Sequence, residues 1–398
     1  MTVSSIQLGI RVGNGLATAS STLAESLAAV EVSCETDSPS TARLSFNAGR
    51  VGNAGDYALL SGGSLQPMTR LALVVTVSSA ASVLFDGFIT HQQLVPGRYP
   101  KGSTLIVTAE DVSVKMGLLQ ISAEYPAMTD DQIVRQILSS RYGGLVTPSV
   151  TTPPINPTPD LYVPQQNDTD LSYIRELAAR YGFIFCIQPG PSAGSNQAYW
   201  GPPVRSGTPQ PALNVDVGPA TNVDAIRFRF DALAPTVSYG EVLQIESQDP
   251  SQNGPVQVVI ASSTRSPALA TTPGLVAPDG LTSNPTSFDP TSVQSRGTLI
   301  QAPGLSPVQG QAVAQGIVDR STDQVVVGEG DLDVLRYGGL LQTAGTVGVR
   351  GTGTTYDGLY CVQSVRHRIH LQLGRWNYKQ SFVIAREGVG STVTKLAS

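Results

Sequence analysis

Charged side chains are scarce in this sequence. Asp, Glu, Lys and Arg make up 14% of the 398 residues, whereas a soluble globular domain usually contains about a quarter. The 25 Lys and Arg are outnumbered by 30 Asp and Glu, so the chain lacks the basic surface that nucleic-acid-binding proteins use. Because hydroxyl side chains abound instead, we expect a largely uncharged surface, much of it covered by partner proteins.

Cysteine, aromatic residues and long apolar runs are also sparse. Cys34, Cys186 and Cys361 are far apart, which is typical of buried free thiols rather than of a disulfide framework or a metal site. The apolar run at residues 71–75 is too short to span a bilayer. The start of the chain lacks a basic segment followed by an apolar one, so no signal peptide is indicated. We therefore predict a protein that is made in the cytoplasm and does not insert into a membrane.

The common motifs of metal binding and catalysis are missing from the sequence. It contains no HExxH or CxxC pattern. His367 and His370 lie three residues apart on a predicted strand, so their side chains point to opposite faces and do not share a metal. The acidic stretch at residues 328–333 lacks the further oxygens of a calcium loop. We predict a protein that is not an enzyme and that has no catalytic residues, no cofactor and no metal.

Alternation of apolar and polar residues predicts a β-rich first part of the chain. This pattern, typical of strands with one buried face, occurs at residues 30–34, 42–46 and 71–77. Asp86 and Gly87 indicate a tight turn between two apolar strands. The sequence thus predicts that residues 1–110 form a small barrel or sandwich.

Two helices with capping signals are predicted between residues 111 and 205. In the first helix, Thr129 is followed by Gln132 at the spacing of a capping box. Gly143 is predicted to stop this helix, because glycine commonly follows a helix end. A linker rich in Pro and Thr at residues 148–159 then leads to the second helix.

Residues 161–187 contain the second helix between two predicted strands. Pro164 is predicted to end the first strand, because proline cannot donate to a sheet. Asn167, Asp168, Thr169 and Asp170 offer oxygens to the free N–H groups of the helix start, and the two carboxylates also suit its positive dipole. Gly182 is predicted to follow the helix with a positive φ, which glycine adopts without strain. The apolar face of the helix comprises Leu171, Ile174, Leu177, Ala178 and Tyr181.

The last part of the chain combines strand patterns with an unusual insertion. Residues 249–308 are rich in Pro, Ser and Thr. A structureless loop of that length is uncommon inside a compact domain, so we predict an inserted β subdomain or an extended arm. A helix follows at residues 308–322, with Val313, Ile317 and Val318 on its apolar side. Further strands are predicted at residues 324–327, 332–335, 345–349, 360–369 and 378–384.

Three motifs occur in order along the chain. The first is a strand that ends in Glu110 and Asp111 and is followed by the helix with the sequence IVRQI at residues 133–137. The second is the pattern DLxxIxxLAxxYGxxF at residues 170–185. The third is a glycine turn and strand, given by Gly353, Asp357, Gly358, Tyr360, Val362, Val365, His367 and Arg386. Together they resemble the phage late-control protein D and T4-type baseplate-hub family, which also supplies the N-terminal part of VgrG proteins.

The resemblance implies a β-rich α+β fold with two small β-barrels, an α/β segment between them and a Pro/Ser/Thr-rich insertion. The implied divisions are 1–110 for the first barrel, 111–205 for the α/β segment with two capped helices, 206–248 for the start of the second barrel, 249–308 for the inserted subdomain or arm, 309–390 for the last helix and the rest of the second barrel, and 391–398 for a tail. The structural signature carried over from the family comprises Asp168, Asp170, Leu171, Ile174, Leu177, Tyr181, Gly182, Asp357, Gly358, Tyr360 and His367.

The role that the resemblance implies is structural. Three subunits would form a pseudo-sixfold ring that joins the hexameric inner tube of a contractile tail or injection system to its trimeric central spike. The implied partners are two further copies of the chain, an inner tube protein, a spike protein and other baseplate components. Because the chain ends soon after the last predicted strand, we expect the spike to be a separate polypeptide. The expected location is the baseplate of a phage tail or injection-system particle.

Two other functions fit parts of the sequence. A tail-associated cell-wall hydrolase would need paired carboxylates in a cleft, for which Glu110 and Asp111 are candidates. A receptor-binding or carbohydrate-binding β protein would fit the many predicted strands, although aromatic residues, at 6%, are few for stacking on sugars. The residues alone leave both alternatives open.

Overall fold

Strands dominate the structure, as the sequence predicts. The computed structural model describes residues 6–49, 55–98, 102–156, 163–244, 254–274, 295–300 and 306–393. The helices in these ranges are α1 (Ser21–Ser26), α2 (Ala58–Ser61), α3 (Asp130–Tyr142), α4 (Asp170–Arg180), α5 (Pro307–Thr322) and α6 (Val334–Tyr337). Among the described residues, none of these helices is both long and apolar enough to cross a bilayer.

The strands follow one another along both halves of the chain. In chain order they are β1 (Ile6–Val12), β2 (Ala17–Thr18), β3 (Leu27–Glu35), β4 (Thr41–Ala48), β5 (Arg70–Val77), β6 (Ala80–Val95), β7 (Ser103–Asp111), β8 (Gln120–Glu124), β9 (Val146–Val150), β10 (Gln165–Thr169), β11 (Ile184–Gln188), β12 (Asn196–Gly201), β13 (Gln210–Asn214), β14 (Val223–Phe230), β15 (Thr236–Gln244), β16 (Gly254–Ile260), β17 (Thr272–Pro273), β18 (Arg296–Ile300), β19 (Val326–Asp333), β20 (Thr346–Arg350), β21 (Gly358–Gln372), β22 (Arg375–Arg386) and β23 (Gly388–Val389).

Thirteen of these strands form one sheet. Its order is β14-β19-β22-β21-β3-β4-β7-β6-β5-β1-β2, and β20 with its parallel partner β13 branches from β21. Among the described residues, no strand pair joins the two ends of this order. The β-rich α+β class is therefore confirmed, whereas the two closed barrels are not. Smaller sheets are β8 with β10, β9-β12-β11, β16-β15-β18, and β17 with β23.

The long strand β21 belongs to both halves of the large sheet. Its first residues pair with β20, for example Cys361 with Thr346. Its residues from Ser364 to His370 pair with β3. The register with β22 shifts between Val362 and Ser364, and such a bulge bends a strand and increases its twist. One strand thus connects the N-terminal and C-terminal halves by backbone hydrogen bonds.

Three apolar clusters hold the elements together. The largest lies under the thirteen-stranded sheet, and its fully buried members include Leu44, Phe46, Leu71, Leu73, Tyr360 and Ile384. The second lies between α3, α4 and the β9-β12-β11 sheet, and it includes Ile133, Ile137, Ile174, Leu177, Phe185 and Trp200. The third is small and joins α5 to the β16-β15-β18 sheet through Val242, Val258, Ile300 and Ala314. The α/β segment therefore has its own core beside the large sheet.

The predicted turn at Asp86 and Gly87 is wrong, because β6 continues through both residues. Asp86 forms a buried ion pair with Arg70, with 2.8 Å between Oδ1 and Nε. A Cβ atom on Gly87 would lie 2.0 Å from the carbonyl oxygen of Glu110 on β7. The glycine is present here for close strand contact rather than for a turn.

Two other strand predictions also differ from the structure. In place of the two strands predicted at residues 324–327 and 332–335 there is one strand, β19, in which Gly330 leaves room for the ring of Phe382. Asp333 caps α6, so Val334 and Leu335 are helical. Most of the strand predicted at residues 161–163 lies outside the described residues, and Val163 itself is in no strand. The strand β10 begins directly after Pro164, so this proline precedes a strand.

The helix α5 agrees with its prediction in position but only in part in its buried face. Val313 and Ile317 are only half-buried. The buried face consists mainly of small residues, namely Gly310, Ala312, Ala314 and Gly316, together with Val318. A Cβ atom on Gly310 would lie 2.5 Å from Cγ2 of Val242. The small side chains therefore let α5 approach its neighbours closely.

Candidate functional site

The start of α4 is organised by one buried carboxylate. Asp170 is fully buried and accepts hydrogen bonds from the Tyr142 hydroxyl and the Gln166 amide, each at 2.7 Å. It also forms an ion pair with Arg141. Burial, together with the contact to Asp170, raises the pKa of Tyr142. This carboxylate therefore binds α3, β10 and α4 to one another.

The helix cap is one of the residues at positions 167–170 that the sequence offers for it. Thr169, not Asp168, is the N-cap, and its hydroxyl accepts a hydrogen bond of 3.2 Å from the Ser172 N–H. Asp168 is an exposed residue at the end of β10. Hydrogen bonds from Ser172 and from the Thr169 N–H lower the pKa of its carboxyl. Its charge still lies beside the positive end of the helix, as predicted.

The apolar face of α4 packs as predicted, with one addition. Ile174 and Leu177 are fully buried in the second core, whereas Leu171 is half-buried. Tyr181 is buried and meets the ring of Trp200 edge-on, with 6.0 Å between the centroids. Tyr173, four residues before Leu177, is also buried. These contacts fix α4 against the β9-β12-β11 sheet.

The end of α4 touches α5 through two glycines. Gly182 has a φ of +61°, as the sequence predicts. A Cβ atom on Gly182 would lie 2.5 Å from the carbonyl oxygen of Gly316, and a Cβ atom on Gly316 would lie 2.5 Å from that of Arg180. Neither residue can carry a side chain without displacing backbone. Gly182 therefore ends α4, and its lack of a side chain lets α5 pack against that end.

A network of buried charges surrounds this glycine contact. The Arg265 side chain donates to the carbonyl oxygen of Gly182 at 2.6 Å and to Asp323 at 2.8 Å. Arg205 connects Asp323 at 2.9 Å with Glu387 at 2.7 Å. Burial alone would lower the pKa of Arg205, but the two carboxylates raise it above its usual value. The network joins α4, α5 and the end of β22.

The insertion is attached to the same network. Asp319 on α5 accepts hydrogen bonds from the Ser263 hydroxyl at 2.7 Å and from the Thr264 N–H at 2.6 Å. Glu387 accepts one of 3.0 Å from the Ala270 N–H. Sequence reasoning missed this network, whose members are Arg205, Arg265, Asp319, Asp323 and Glu387. The only signal was that each is a charged residue in a chain with few charges.

The third motif forms a second junction, at the start of β21. Asp357 accepts hydrogen bonds from the N–H and hydroxyl of Thr352, both at 2.8 Å, and Gly358 has a φ of +131°. The guanidinium of Arg386 lies 4.3 Å from the ring centroid of Tyr360 and donates to the carbonyl oxygen of Asp357 at 3.0 Å. Burial raises the pKa of Tyr360 and lowers that of Arg386. These residues anchor the strand that both halves share.

The two histidines of β21 lie on opposite faces, as the sequence predicts. His367 is 3% exposed and its Nδ1 lies 2.7 Å from the Tyr378 hydroxyl, whereas His370 faces solvent. Burial lowers the pKa of His367 to about 4. His367 is therefore a neutral core residue at physiological pH.

The protein should become less stable as the pH decreases, because the pKa of His367 is lowered in the folded state. Below a pH of about 6.5 the unfolded chain binds a proton there that the folded chain does not bind until about pH 4. The free energy of unfolding should therefore decrease as pH falls through this window, by up to about 1.4 kcal/mol per pH unit. Urea unfolding of the wild type and of His367→Asn at pH 7, 6 and 5 measures the difference in slope. Equal slopes in both proteins would contradict this assignment.

One member of the candidate hydrolase pair, Asp111, has a structural role. Asp111 is buried and accepts hydrogen bonds from the N–H groups of Ser40 at 2.5 Å and of Ser113 at 2.9 Å. It caps the short 3₁₀ turn at Val112–Gly117. Burial raises its pKa. This environment gives Asp111 a capping role that its pairing with Glu110 did not predict.

The predicted signature residues thus occupy three separate places. Those of α4 lie in the second core and at the α4–α5 contact, while Asp357, Gly358 and Tyr360 lie at the start of β21. His367 lies further along β21. Gly182 and Cys361 both line one cavity. The three cysteines are free thiols; Cys186 and Cys361 are buried, as predicted, whereas Cys34 is half-buried. Within the described ranges, no cluster of three or more His, Cys, Asp or Glu residues could hold a metal ion.

The chain shares its fold with tail and secretion-system proteins of known structure. The 43 kDa tail protein of prophage MuSo2 from Shewanella oneidensis is 14% identical, with a TM-score of 0.59 over 96% of this chain and 99% of that protein. The tail protein from Neisseria meningitidis MC58 is 10% identical, with a TM-score of 0.58 over 97% and 98%. An E. coli component of the type VI secretion system, described as similar to T4 bacteriophage tail proteins, is 13% identical, with a TM-score of 0.55 over 95% and 76%.

Comparisons based on sequence alone are less informative than the comparison of structures. A family described as the Alg8 N-terminal domain matches residues 13–191, which is less than half of the chain. The matched range stops between β11 and β12, which pair with each other, so it does not correspond to a separate structural unit. No curated protein matches the sequence.

Proposed function

We propose that this protein is the structural hub of a contractile tail or injection-system baseplate. Three copies form a pseudo-sixfold ring that joins the hexameric inner tube to a separate trimeric spike protein. The observation that carries the proposal is the likeness in fold to tail proteins, which extends over 96% of this chain and 99% of the Shewanella protein. No catalytic step is part of the role.

The pseudo-sixfold character would arise from the two halves of the chain. We infer that the large sheet curls on either side of β21, so that residues 1–110 contribute one barrel and residues 206–248 with 309–390 contribute the other. In support, β3 to β7 lie on one side of β21 in the sheet order, and β22, β19 and β14 lie on the other. Three chains then present six similar units to a sixfold tube.

Rigidity is what such an adaptor needs, because force passes from tube to spike through it. The buried network around Arg205 joins α5, the insertion and β22. Arg265 adds the end of α4. The uncharged surface is suited to extensive contact with other baseplate components, because charged residues are depleted in the centres of interfaces.

The mass of the purified protein in solution tests the proposal. We expect three times the mass of one chain, together with a threefold ring in negative-stain images. We also expect the ring to capture the spike and tube proteins encoded beside it. A protein that stays monomeric at micromolar concentration and captures neither partner would refute the hub role.

A further inference from the structure

The loop between β21 and β22 carries an exposed leucine in an unfavourable conformation. Leu373 is 99% exposed and has a φ of +49°, and the next residue, Gly374, has a φ of +76°. Gln372 and Arg375 pair across them, so the loop has two residues. Such loops favour Asn-Gly or Asp-Gly, because both central residues have positive φ. A leucine is unfavourable here because its φ is positive and because its apolar side chain is exposed to water. This combination points to a contact outside the chain.

The tip of this hairpin is apolar and basic. Its last pair with β3 joins His370 to Ala29, so the tip extends beyond the neighbouring strand. Leu371 is 47% exposed, and Arg375 is exposed beside it. Residues 358–386 contain no Asp or Glu. A partner that suits this tip would offer an apolar cavity with acidic groups at its rim.

The other end of β21 borders a cavity of that kind. The cavity has a volume of about 290 Å³, close to the lower end of the roughly 300–1,000 Å³ of ligand pockets. Buried Ile184 and Val362 are among its lining residues, and so are the exposed acidic residues Glu35 and Asp37. Asp323 is the third carboxylate of its lining. Asp37 pairs with Arg320 and Asp323 pairs with Arg205, so Glu35 at the rim is the carboxylate that an incoming guanidinium group can meet. The cavity therefore complements the tip in both apolar character and charge.

The tip cannot reach this cavity within one chain. Cys361 borders the cavity and Leu373 forms the tip. The strand between them spans on the order of 40 Å at ~3.3 Å per residue. A second copy of the chain can supply the tip. A contact between opposite ends of identical subunits is head-to-tail, and it closes into a ring when the rotation allows.

We propose that the hairpin tip of one copy inserts Leu373 into the cavity of the next copy, with Arg375 against Glu35. The inference rests on the proposed trimeric hub and names the contact that closes its ring. It also explains the strained leucine. The assembly requires the apolar side chain, although asparagine would make the loop of the isolated chain more stable.

The variant Leu373→Asn separates assembly from folding. Asn-Gly is favoured in this loop, so the variant monomer should unfold at the same urea concentration as the wild type or at a higher one. Its trimer should dissociate at a protein concentration at least about tenfold higher than the wild-type trimer does. Leu299→Asn is the matched control, because Leu299 is 54% exposed on β18 and lies outside the proposed contact. Sedimentation across a dilution series measures both.

Charge reversal tests which cavity receives the tip. Arg375→Glu and Glu35→Arg should each weaken the trimer, and the double variant should recover part of the loss. The outcomes remain distinguishable from failure of the hub role. A wild-type monomer would refute both proposals. A wild-type trimer that Leu373→Asn disturbs no more than Leu299→Asn does would overturn the hairpin contact alone, as would a variant that stays trimeric but no longer captures the spike.

Discussion

Replacing Gly182 with valine should destabilise the protein strongly and lower the yield of assembled rings. A β-branched residue with a φ of +61° is strained by about 1–3 kcal/mol. The new Cβ would also lie 2.5 Å from the carbonyl oxygen of Gly316, so α4 and α5 would have to separate. We expect a total loss above roughly 3 kcal/mol in urea unfolding, because separating the helices opens gaps in a close-packed interior.

Two control variants separate the backbone strain from the loss of contact between α4 and α5. Gly338→Val places the same side chain at another left-handed helix end, with a φ of +81° and no atom within 4 Å of the new Cβ. It should show only the strain. Gly316→Ala adds a methyl group 2.5 Å from the Arg180 carbonyl oxygen and tests the helix contact without a left-handed residue. If Gly182→Val costs no more than Gly338→Val, the close contact of α4 with α5 is wrong.

Replacing Arg205 with methionine should have a comparable effect for an electrostatic reason. The side chain is 3% exposed and neutralises parts of Asp323 and Glu387. Methionine keeps much of the volume but leaves these buried carboxylates with fewer partners. Removing one member of a buried ion pair typically costs roughly 3–5 kcal/mol. Chemical unfolding measures the loss, and proteolysis of the insertion should become faster because Glu387 holds its backbone.

An exposed arginine provides the comparison. The Arg227 side chain is 83% exposed and pairs with Glu329 on the surface of the large sheet. Surface pairs contribute little because water screens them, so Arg227→Met should leave the unfolding midpoint unchanged. Equal effects of Arg205→Met and Arg227→Met would mean that the network around Arg205 does not stabilise the fold.

Local signals account for the elements that the sequence predicts well. The helix α3 follows its capping residue Thr129, and the Gln132 side chain accepts a hydrogen bond of 3.1 Å from the Thr129 N–H. The helix α4 ends at a glycine with positive φ, as predicted. Both features depend on residues within one or two turns of each other, so a single sequence contains the required information.

Features that depend on distant residues could not be predicted in this way. Asp86 and Gly87 have the composition of a turn, but Arg70 and the backbone of Glu110 hold them in a strand. The charge network joins residues as far apart as Arg205 and Glu387. The buried face of α5 consists of small residues because close helix contact matters more there than apolar area. The path of the sheet, and with it the question of closed barrels, likewise depends on which distant strands pair.

The pairing of β3 with β21 has a consequence for the synthesis of the chain. Residues 27–35 leave the ribosome long before their partners from Ser364 to His370 are translated. Until then, one edge of β3 lacks its neighbour and is open to pairing with other nascent chains. Contacts this far apart in sequence slow folding, since a long loop must close before they form. Completion of the large sheet must therefore wait until β21 has emerged, and a chaperone that shields β3 would raise the yield of folded protein.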